Sequence, residues 1–447
     1  MATVAIPSAT IVGALACQKD SYLKTLDAEV VSCEEYIPPA PSKPSKAKKT
    51  NATSLEGNAS SPTPEKSYLL QFTDSVLFPT GGGQPCDHGS ITPLQHSSND
   101  NPIPIRDLQR RGLQCLALSP VSLSPGTHIQ QSIDFARRWD HMQQHTGQHL
   151  LSAIFDTLDL DTLSWSMGAA GEMNYLELPR RPTDDELQAV QQQCNQAIRD
   201  NHPITVETGP NPDADHSKLP DDYDPSKGII RYIRIGMLDH NPCCGTHLKQ
   251  TSHIGAILLH HMQTIRGTNC RLFFTCGDRA LEMARKSIES LKVIGGSLST
   301  GSTPEEVQGG VQRTMDALAE ERRRTKKLLS EIASFEGRRM VGEWESGKSV
   351  VWCHRPNEGL DFLNVLLAEV KEALAKEKRA AVLSTGQERA AGSIVIVGDK
   401  EIVESLSAEV KRVVSSVKGG GKGEKWQGKV TEWKKGELQQ LEEVVKG

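Results

Sequence analysis

The segment HMQQHTGQHLL, residues 141–151, places three histidines at intervals of four. An α-helix has 3.6 residues per turn, so side chains four positions apart lie on one face. If the segment is helical, His141, His145 and His149 therefore point their imidazole rings in the same direction. Imidazole nitrogens are common metal ligands, but a lone HxxxH pair more often has a structural role.

A second pair of metal-binding residue types has the same spacing about a hundred residues later. In CCGTH, residues 243–247, a cysteine and a histidine again stand four apart. One thiolate and three imidazoles form a donor set that suits Zn²⁺. The sequence therefore predicts a zinc site with the four ligands His145, His149, Cys243 and His247.

Two further residues compete for this site. His141 has the right spacing to His145, but we expect it to be a surface or helix-capping residue. Cys244 lacks the four-residue spacing to His247, and we expect it to be a small packed residue.

A zincin protease needs a glutamate inside H-E-x-x-H as its general base. The intervening residues here are Thr, Gly and Gln, so peptide hydrolysis by that scheme is excluded.

The bulk composition limits the class of protein. The chain has 447 residues, a net charge of −5 and 37% hydrophobic residues, which predicts a globular protein of several domains. Ten cysteines without a C-x-x-C pair indicate reduced thiols rather than a disulfide framework. The first twenty residues contain neither a basic leader nor a stretch of membrane-spanning length. We therefore expect a cytoplasmic protein that does not enter a membrane.

The pattern of strands and helices predicts an α+β fold. Apolar runs such as AEVVSC and SYLLQF read as strands, while the Pro/Ser/Lys-rich segment 38–66 between them reads as a disordered insert. Periodic apolar residues predict a helix from about 137 to 158. A capping box at Thr183 and Glu186 begins a second helix, and Thr303, Pro304 and Glu306 begin a long amphipathic one.

These elements divide into four predicted domains. The last has a strand–helix–strand–strand–helix order typical of a small α/β domain, followed by the glycine-rich basic loop KGGGKGEKWQGKV. The predicted boundaries are 1–135 for a mostly β domain, 136–277 for an α+β domain, 278–346 for a helical linker or hairpin, and 347–447 for the α/β domain.

Motifs along nearly the whole chain resemble those of one family. HTGQHLLSA and CCGTH are similar to the two zinc motifs of the editing domain of alanyl-tRNA synthetase and of its free-standing relatives, the AlaX proteins. Further stretches occur in the order found in the long eukaryotic AlaX-type editing proteins: LACQKDSYL, VVSC, VLFPTGGGQPCDHG, RRWDHMQQHTGQHLLSA, SWSMG, LPDD and KGGGKGEKWQGKV. The insert at 38–66 and the central helical stretch depart from that pattern.

The resemblance implies hydrolysis, in trans, of the ester that joins a wrong amino acid to tRNA, chiefly in Ser-tRNA(Ala) and also in Gly-tRNA(Ala). It implies one Zn²⁺ per chain, held by the four ligands already predicted. It also implies a β-barrel-like first domain, a zinc-bearing editing domain, a helical linker and a tRNA-contacting C-terminal domain. No ATP use and no aminoacylation are expected, since nothing before residue 135 has the length or pattern of a synthetase catalytic domain.

Two segments near the predicted zinc site are candidates for contact with a substrate. The glycine run at 81–83 reads locally as a tight turn, without the G-K-[ST] of a phosphate loop. By resemblance it matches a family motif near the editing pocket, which makes Gly81, Gly82, Gly83, Gln84 and Pro85 candidates for substrate binding. Thr146 and Gln148 stand beside the ligands and are candidates for polar catalytic contacts, with helix packing as the alternative.

The C-terminal tail is the candidate site for RNA. Lysines are dense there, and phosphate neutralisation by such side chains favours tRNA binding. We expect Lys418, Lys422, Lys425 and Lys429 to contact tRNA and Trp426 to stack on an exposed base. The alternative is a solvated basic surface with a buried tryptophan.

Other functions remain open at this stage. The chain could be a zinc-stabilised tRNA-binding module without hydrolytic activity, or it could edit Ser-tRNA(Thr). A zinc hydrolase of small-molecule esters is disfavoured, because such a substrate needs neither the basic tail nor the helical spacer. The sequence does not determine the oligomeric state.

Overall fold

The protein is described here from a computed structural model, which covers residues 8–38, 66–94, 101–209, 229–376 and 378–446. The chain forms two compact units, Met1–Glu289 and Ser290–Gly447. The predicted insert at 38–66 lies almost entirely outside the described residues. The α+β class is confirmed, whereas the four finer domain boundaries stay a prediction.

A curled antiparallel sheet comes first in the chain. Its strands are β1 (Thr25–Glu35), β2 (Tyr68–Phe72), β3 (Gly89–Pro93), β4 (Ile103–Ile105), β5 (Asp107–Arg111), β6 (Gln114–Ser119) and β7 (His128–Ile133). The spatial order is β4-β3-β7-β1-β2-β6-β5, and β4 also contacts β6, so that the sheet nearly closes on itself. Its interior is filled by apolar residues from alternate strand positions, among them Val30, Leu70 and Ile129. The short helix α1 (Ala16–Lys19) precedes it.

The second core of this unit is built from two helices and two small sheets. The helices are α2 (Phe135–Asp156) and α3 (Asp184–Arg199), with a 3₁₀ turn at Thr251–Ile254. A four-stranded antiparallel sheet contains β8 (Ser164–Ser166), β9 (Asn174–Leu178), β13 (Ile257–Thr264) and β14 (Cys270–Cys276), in the order β13-β14-β9-β8. A three-stranded antiparallel sheet contains β10 (Ile204–Thr208), β11 (Arg231–Ile235) and β12 (Asp239–Pro242).

Helix α2 passes through the middle of this core. Its first turn is capped by Asp134, whose side chain accepts a hydrogen bond from the backbone N–H of Arg137. Every residue from 141 to 151 is buried, so the helix is enclosed on all sides and not only on its apolar face. Burial of polar side chains is costly unless they are hydrogen-bonded. The polar residues of this stretch must therefore find partners, and those partners form the site described below.

The helices that follow begin where the caps predict. Both capping boxes are present: Thr183 with Glu186 at the start of α3, and Thr303 with Glu306 at the start of α5 (Pro304–Glu345). Helix α4 (Gly277–Ser297) precedes α5. Among the described residues, no helix has the length and apolar character that a membrane crossing requires.

The second unit has a five-stranded sheet with helices on both faces. The strands are β15 (Val350–Arg355), β16 (Ala380–Thr385), β17 (Gly392–Gly398), β18 (Val417–Lys422) and β19 (Lys425–Val430). They lie in the order β15-β16-β17-β19-β18, with only β15 and β16 parallel. The remaining helices are α6 (Leu360–Leu374), α7 (Lys400–Val413) and α8 (Glu437–Lys446). Apolar residues of α5 and α6 pack on one face of the sheet, and those of α7 and α8 pack on the other.

The glycine-rich basic segment is a β-hairpin and not the predicted loop. Strands β18 and β19 pair across it, with Gly419 opposite Gly428 and Gly421 opposite Trp426. A Cβ on Gly419 or Gly428 would lie within 2.7 Å of the Trp426 indole, so the glycines leave room for this ring. Trp426 is 3% exposed. Its predicted stacking on a tRNA base is therefore wrong, because the ring is packed inside the hairpin.

Candidate metal centre

The four predicted ligands lie together in the first unit. One donor atom from each of His145, His149, Cys243 and His247 is within 4.8 Å of the other three. The Cys243 Sγ is 3.4 Å from Nε2 of His145 and 3.2 Å from Nε2 of His247. Tetrahedral Zn²⁺, with bonds of about 2.0–2.3 Å, places its donors about 3.3–3.6 Å apart. The donor set and its spacing fit zinc.

Two elements bring these side chains together. Helix α2 supplies its pair from adjacent turns near its middle. The other pair lies in the loop that follows β12, and this loop is anchored to β11 by a backbone hydrogen bond of 2.9 Å from Cys243 N–H to the Arg231 carbonyl. The Arg231 side chain, itself buried, donates to the carbonyls of Cys243 and Gly245 at 3.0 and 2.6 Å. These hydrogen bonds hold the loop in place beside β11.

The histidine rings are oriented by partners on their outer nitrogens. Asp239 accepts a hydrogen bond from Nδ1 of His149 at 2.8 Å. The side-chain oxygen of Gln84 accepts from Nδ1 of His145 at 2.9 Å. A carboxylate or amide oxygen can only accept, so each Nδ1 carries the proton and each Nε2 is left as the inner nitrogen.

The third ring is held by the residue next to His145. Nδ1 of His247 is 3.4 Å from Oγ1 of Thr146, which also accepts from the backbone N–H of Leu248 at 3.1 Å. Thr146 is fully buried and does not border the cavity described below. Its contact is with His247 and not with space that a substrate could occupy. The predicted catalytic contact of Thr146 is therefore replaced by a role in orienting a ligand.

The charges of the cluster suit a cation. Burial opposes ionisation of the Cys243 thiol, but the three surrounding imidazoles outweigh it and hold the thiol pKa well below its usual value. Burial lowers the pKa of His145 and His247. Burial also opposes protonation of His149, yet Cys243 and the hydrogen bond to Asp239 raise its pKa to about 10. Binding of a divalent cation would displace that proton.

The two competing residues lie outside the donor cluster. His141 is buried and its Nδ1 has no hydrogen-bond partner among the described residues, so the expectation of a surface or capping role is wrong. Burial lowers its pKa to about 4. Cys244 is half-buried and borders the cavity, and burial raises the pKa of its thiol to about 12.

A cavity of about 560 Å³ opens beside the cluster. His145, His149 and Cys243 form one part of its wall. Another part comes from the end of α2 and from β8, with Gln148 and Trp165 on it. Gln148, predicted as a polar catalytic contact, thus faces space in which a substrate could bind.

The glycine turn lies against the same place. Gly82 and Gly83 have φ of +60° and +79°, values that glycine adopts without strain. A Cβ on Gly82 would stand 3.0 Å from Cys244 Sγ, and one on Gly83 would stand 2.7 Å from the Trp165 indole. Of the five residues predicted to bind substrate, only Gly82 borders the cavity. Gln84 is fully buried beneath the turn, so it contacts His145 and not the cavity.

Sequence reasoning missed three residues of the site. Asp239, Arg231 and Trp165 are separated along the chain from the residues they contact, and no spacing rule links them to the ligands. A buried-strand arginine in RYIRI and an aspartate four residues before Cys243 were the available signals. Arginine and aspartate are rarely buried unless paired, so their presence in buried strands indicates a polar partner nearby.

The predicted tRNA-binding lysines share one face of the C-terminal hairpin. Lys418 pairs with Lys429 across the two strands, and Lys422 pairs with Lys425. All four side chains are exposed. Directly opposed like charges destabilise a strand pair. The arrangement therefore favours an anionic partner over this face.

The chain is similar to several known proteins. Residues 230–273 match the family described as the threonyl and alanyl tRNA synthetase second additional domain. The putative alanyl-tRNA editing protein alaX of Saccharomyces cerevisiae is 35% identical over 97% of this chain and 96% of its own. The alanyl-tRNA editing protein Aarsd1 of Rattus norvegicus is 31% identical over 96% and 97%. Alanine–tRNA ligase of Pyrococcus furiosus is 27% identical over 83% of this chain, but over only 40% of its own length.

Proposed function

The chain belongs to the AlaX-type alanyl-tRNA editing proteins, and from this membership we propose that it deacylates mischarged tRNA(Ala) in trans, chiefly Ser-tRNA(Ala) and also Gly-tRNA(Ala). The observation that carries the proposal is the cluster of His145, His149, Cys243 and His247, of which the first three line a cavity. We place the activity in the cytoplasm, where all ten cysteines, which are free here, would stay reduced.

A separate hydrolytic site is needed because a synthetase selects poorly between amino acids of similar size. Serine differs from alanine by one hydroxyl and glycine by one methyl, and a synthetase pocket discriminates such small differences by only about 1–3 kcal/mol. A second site that hydrolyses the wrong product supplies the remaining discrimination. The bond to be cleaved is an ester, which is already activated, so modest catalysis is enough.

The four ligands would hold one Zn²⁺ per chain. Bound there, zinc would supply a Lewis acid for the amino or hydroxyl group of the mischarged serine, or lower the pKa of a water to about 7. With all four protein donors bound, the tetrahedral shell has no open position for either role, and zinc would then shape the pocket. The positioning of the attacking water would then depend on other side chains of the cavity.

Gln148 is the side chain best placed for that task. It borders the cavity within one helical turn of His145 and His149. Its amide N–H donates to Ser152 Oγ at 2.9 Å, and Ser152 Oγ is 2.7 Å from Thr162 Oγ1. These bonds fix the amide plane and leave its oxygen without a partner among the described residues. An oriented acceptor in the cavity can hold a water or the substrate ammonium group.

We also propose that the lysine face of the β18–β19 hairpin contacts the tRNA. The support is the pairing of four exposed lysines on one face, where the one acidic residue of the hairpin is Glu424 in its turn. Phosphates would relieve their mutual repulsion, and such contacts weaken steeply as salt is added.

The test is deacylation of purified Ser-tRNA(Ala), Gly-tRNA(Ala), Ala-tRNA(Ala) and Ser-tRNA(Thr), with bound zinc quantified in the same samples. The variants are wild type, Cys243→Ala and, as a control, Cys33→Ala, which removes a half-buried thiol of the first sheet. We expect rapid loss of serine from tRNA(Ala) and sparing of alanine, with zinc and activity lost together in Cys243→Ala alone.

Three other outcomes would change the conclusion. Zinc bound at one per chain with every ester intact would identify a tRNA-binding module without hydrolytic activity. Preference for Ser-tRNA(Thr) would identify the substrate as mischarged tRNA(Thr), the product of the other synthetase named in the matching domain family. Full activity in zinc-free Cys243→Ala would refute a metal-dependent mechanism.

A further inference from the structure

Trp165 has an unusual position for a tryptophan at the edge of a sheet. It lies on β8, the edge strand of the four-stranded sheet, opposite Leu176 of β9. Its ring is 4.8 Å from the ring of His145, and the glycine turn at Gly83 packs closely against it. The indole is only partly buried, and it borders the cavity beside the donor cluster. The ring is thus packed against protein while part of it is open to the cavity.

The cavity is larger than an aminoacyl group requires. Its volume of about 560 Å³ is several times that of a seryl group. It falls within the range of roughly 300–1,000 Å³ for pockets that enclose complete small organic ligands. The cavity therefore has room for more of the tRNA end than the amino acid. The group joined directly to the ester is the terminal adenosine.

We propose that Trp165 is the stacking platform for the terminal adenine, while the aminoacyl group reaches the donor cluster. This inference rests on the proposed function and identifies how the same cavity holds its substrate. An aromatic ring recognises a base by its π-face. His145 and Gly83 keep the indole from turning, so the platform is rigid and loses little entropy when the base binds.

The test measures the binding of two non-hydrolysable ligands to the full-length zinc-loaded protein. One is 3′-serylamino-3′-deoxyadenosine, in which an amide replaces the ester. The other is the matching serylamino ribose without a base. Titration calorimetry gives Kd for wild type, Trp165→Leu, Trp165→Tyr and a control, Leu281→Ala. Leu281 lies on α4, is 65% exposed and does not border the cavity.

We expect Trp165→Leu to weaken the adenosine ligand by about 5–150-fold, the range for loss of one base–aromatic stack. The base-free ligand should bind all four proteins alike. Trp165→Tyr should keep most of the affinity because it keeps a π-face, and Leu281→Ala should bind as wild type does. Zinc content must be equal in all of them.

Two results would overturn the inference. One is an adenosine ligand that binds Trp165→Leu as tightly as wild type. The other is an equal loss for both ligands, which would mean that the ring acts by supporting His145. Wild-type deacylation assayed in parallel separates the two hypotheses: activity without a Trp165 effect refutes the platform alone, whereas absence of both activity and ligand binding refutes the proposed function. If Trp165→Leu does not fold, Trp165→Met, which keeps a large apolar side chain without a π-face, takes its place with the same expected result.

Discussion

Asp239 and His149 form a carboxylate–histidine pair, with Oδ2 of the aspartate 2.8 Å from Nδ1 of the histidine and both side chains buried. The carboxylate fixes the ring and makes its inner nitrogen more basic. Asp239→Ala is expected to weaken zinc binding about 10–100-fold. Competition with a chromophoric chelator measures this affinity directly. Asp200→Asn, at the exposed end of α3, is the control. An unchanged zinc affinity in Asp239→Ala would contradict the assigned role.

Gln84 joins the glycine turn to the donor cluster from below. Its amide oxygen accepts from Nδ1 of His145 and from the N–H of Thr246, and its amide N–H donates to Thr246 Oγ1 at 2.9 Å. Gln84→Ala leaves buried polar groups unsatisfied, at a cost of about 1–3 kcal/mol for each. We predict a lower free energy of unfolding together with a lower kcat for deacylation.

Denaturant titration and single-turnover deacylation test this prediction. The matched control is Gln114→Ala, which removes an exposed glutamine of the first sheet. Gln84→Glu keeps an acceptor for His145 and should retain more zinc than Gln84→Ala. If the alanine variant were as stable and as active as wild type, the hydrogen bonds would have no role in aligning the ligands.

The lysine face of the C-terminal hairpin predicts how the affinity for tRNA depends on salt concentration. Lys418 and Lys429 are paired across the strands and exposed. If each neutralises one phosphate, the double alanine variant should lower the slope of log K against log salt by about 1.5–2. The affinity for tRNA should fall most at low salt. The rate of deacylation at saturating tRNA should stay unchanged.

Binding at several salt concentrations, by filter retention, measures this slope. The control removes the same charge elsewhere in the second unit, through Lys371→Ala with Lys376→Ala, both exposed. Equal effects of the two double variants would indicate a response to net charge rather than a specific contact surface.

His141 predicts a pH dependence of stability that is separate from the metal. Burial lowers its pKa to about 4 from an ordinary value of 6.5. As the pH falls below 6.5 the unfolded chain takes up a proton that the folded chain refuses until about pH 4. The folded state therefore loses up to about 3 kcal/mol over this interval. His141→Gln should show a smaller loss of unfolding free energy between pH 7 and 4.

Urea titrations across this pH range compare wild type with His141→Gln, and His128→Gln removes an exposed histidine as the control. The ligand histidines titrate in all three proteins, so their contribution cancels in the comparison. Identical pH profiles for wild type and His141→Gln would show that the folded and unfolded chains take up the His141 proton at the same pH. Burial would then not lower the pKa of this ring.

The sequence was sufficient to identify the ligands because their spacing is local. Two residues four apart share a helix face whatever surrounds the helix. The same rule could not separate His141 from the other two histidines. Three rings spaced by four residues span roughly 12 Å along the axis, so one ion reaches only two of them. The position of the cysteine loop against the helix decides which two histidines share the ion. That position is set by tertiary packing.

The supporting residues could not be predicted for the same reason. Asp239 and Gln84 lie 90 and 61 positions from the histidines they orient, and no periodicity connects them. The prediction for Trp426 was wrong for a different reason. Glycine and lysine between strands suggested a loop, whereas the hairpin uses its glycines to admit the indole and so removes it from the surface.

The attachment of Gln84 to His145 has a consequence for how such a site can be inherited. The residues that identify the metal centre all lie after position 140, yet the glutamine that aligns one of them arrives with the first sheet. A recombination event that moved only the metal motifs into another gene would transfer the donors without their alignment. The smallest heritable portion of this site is therefore both cores of the first unit, passed on together.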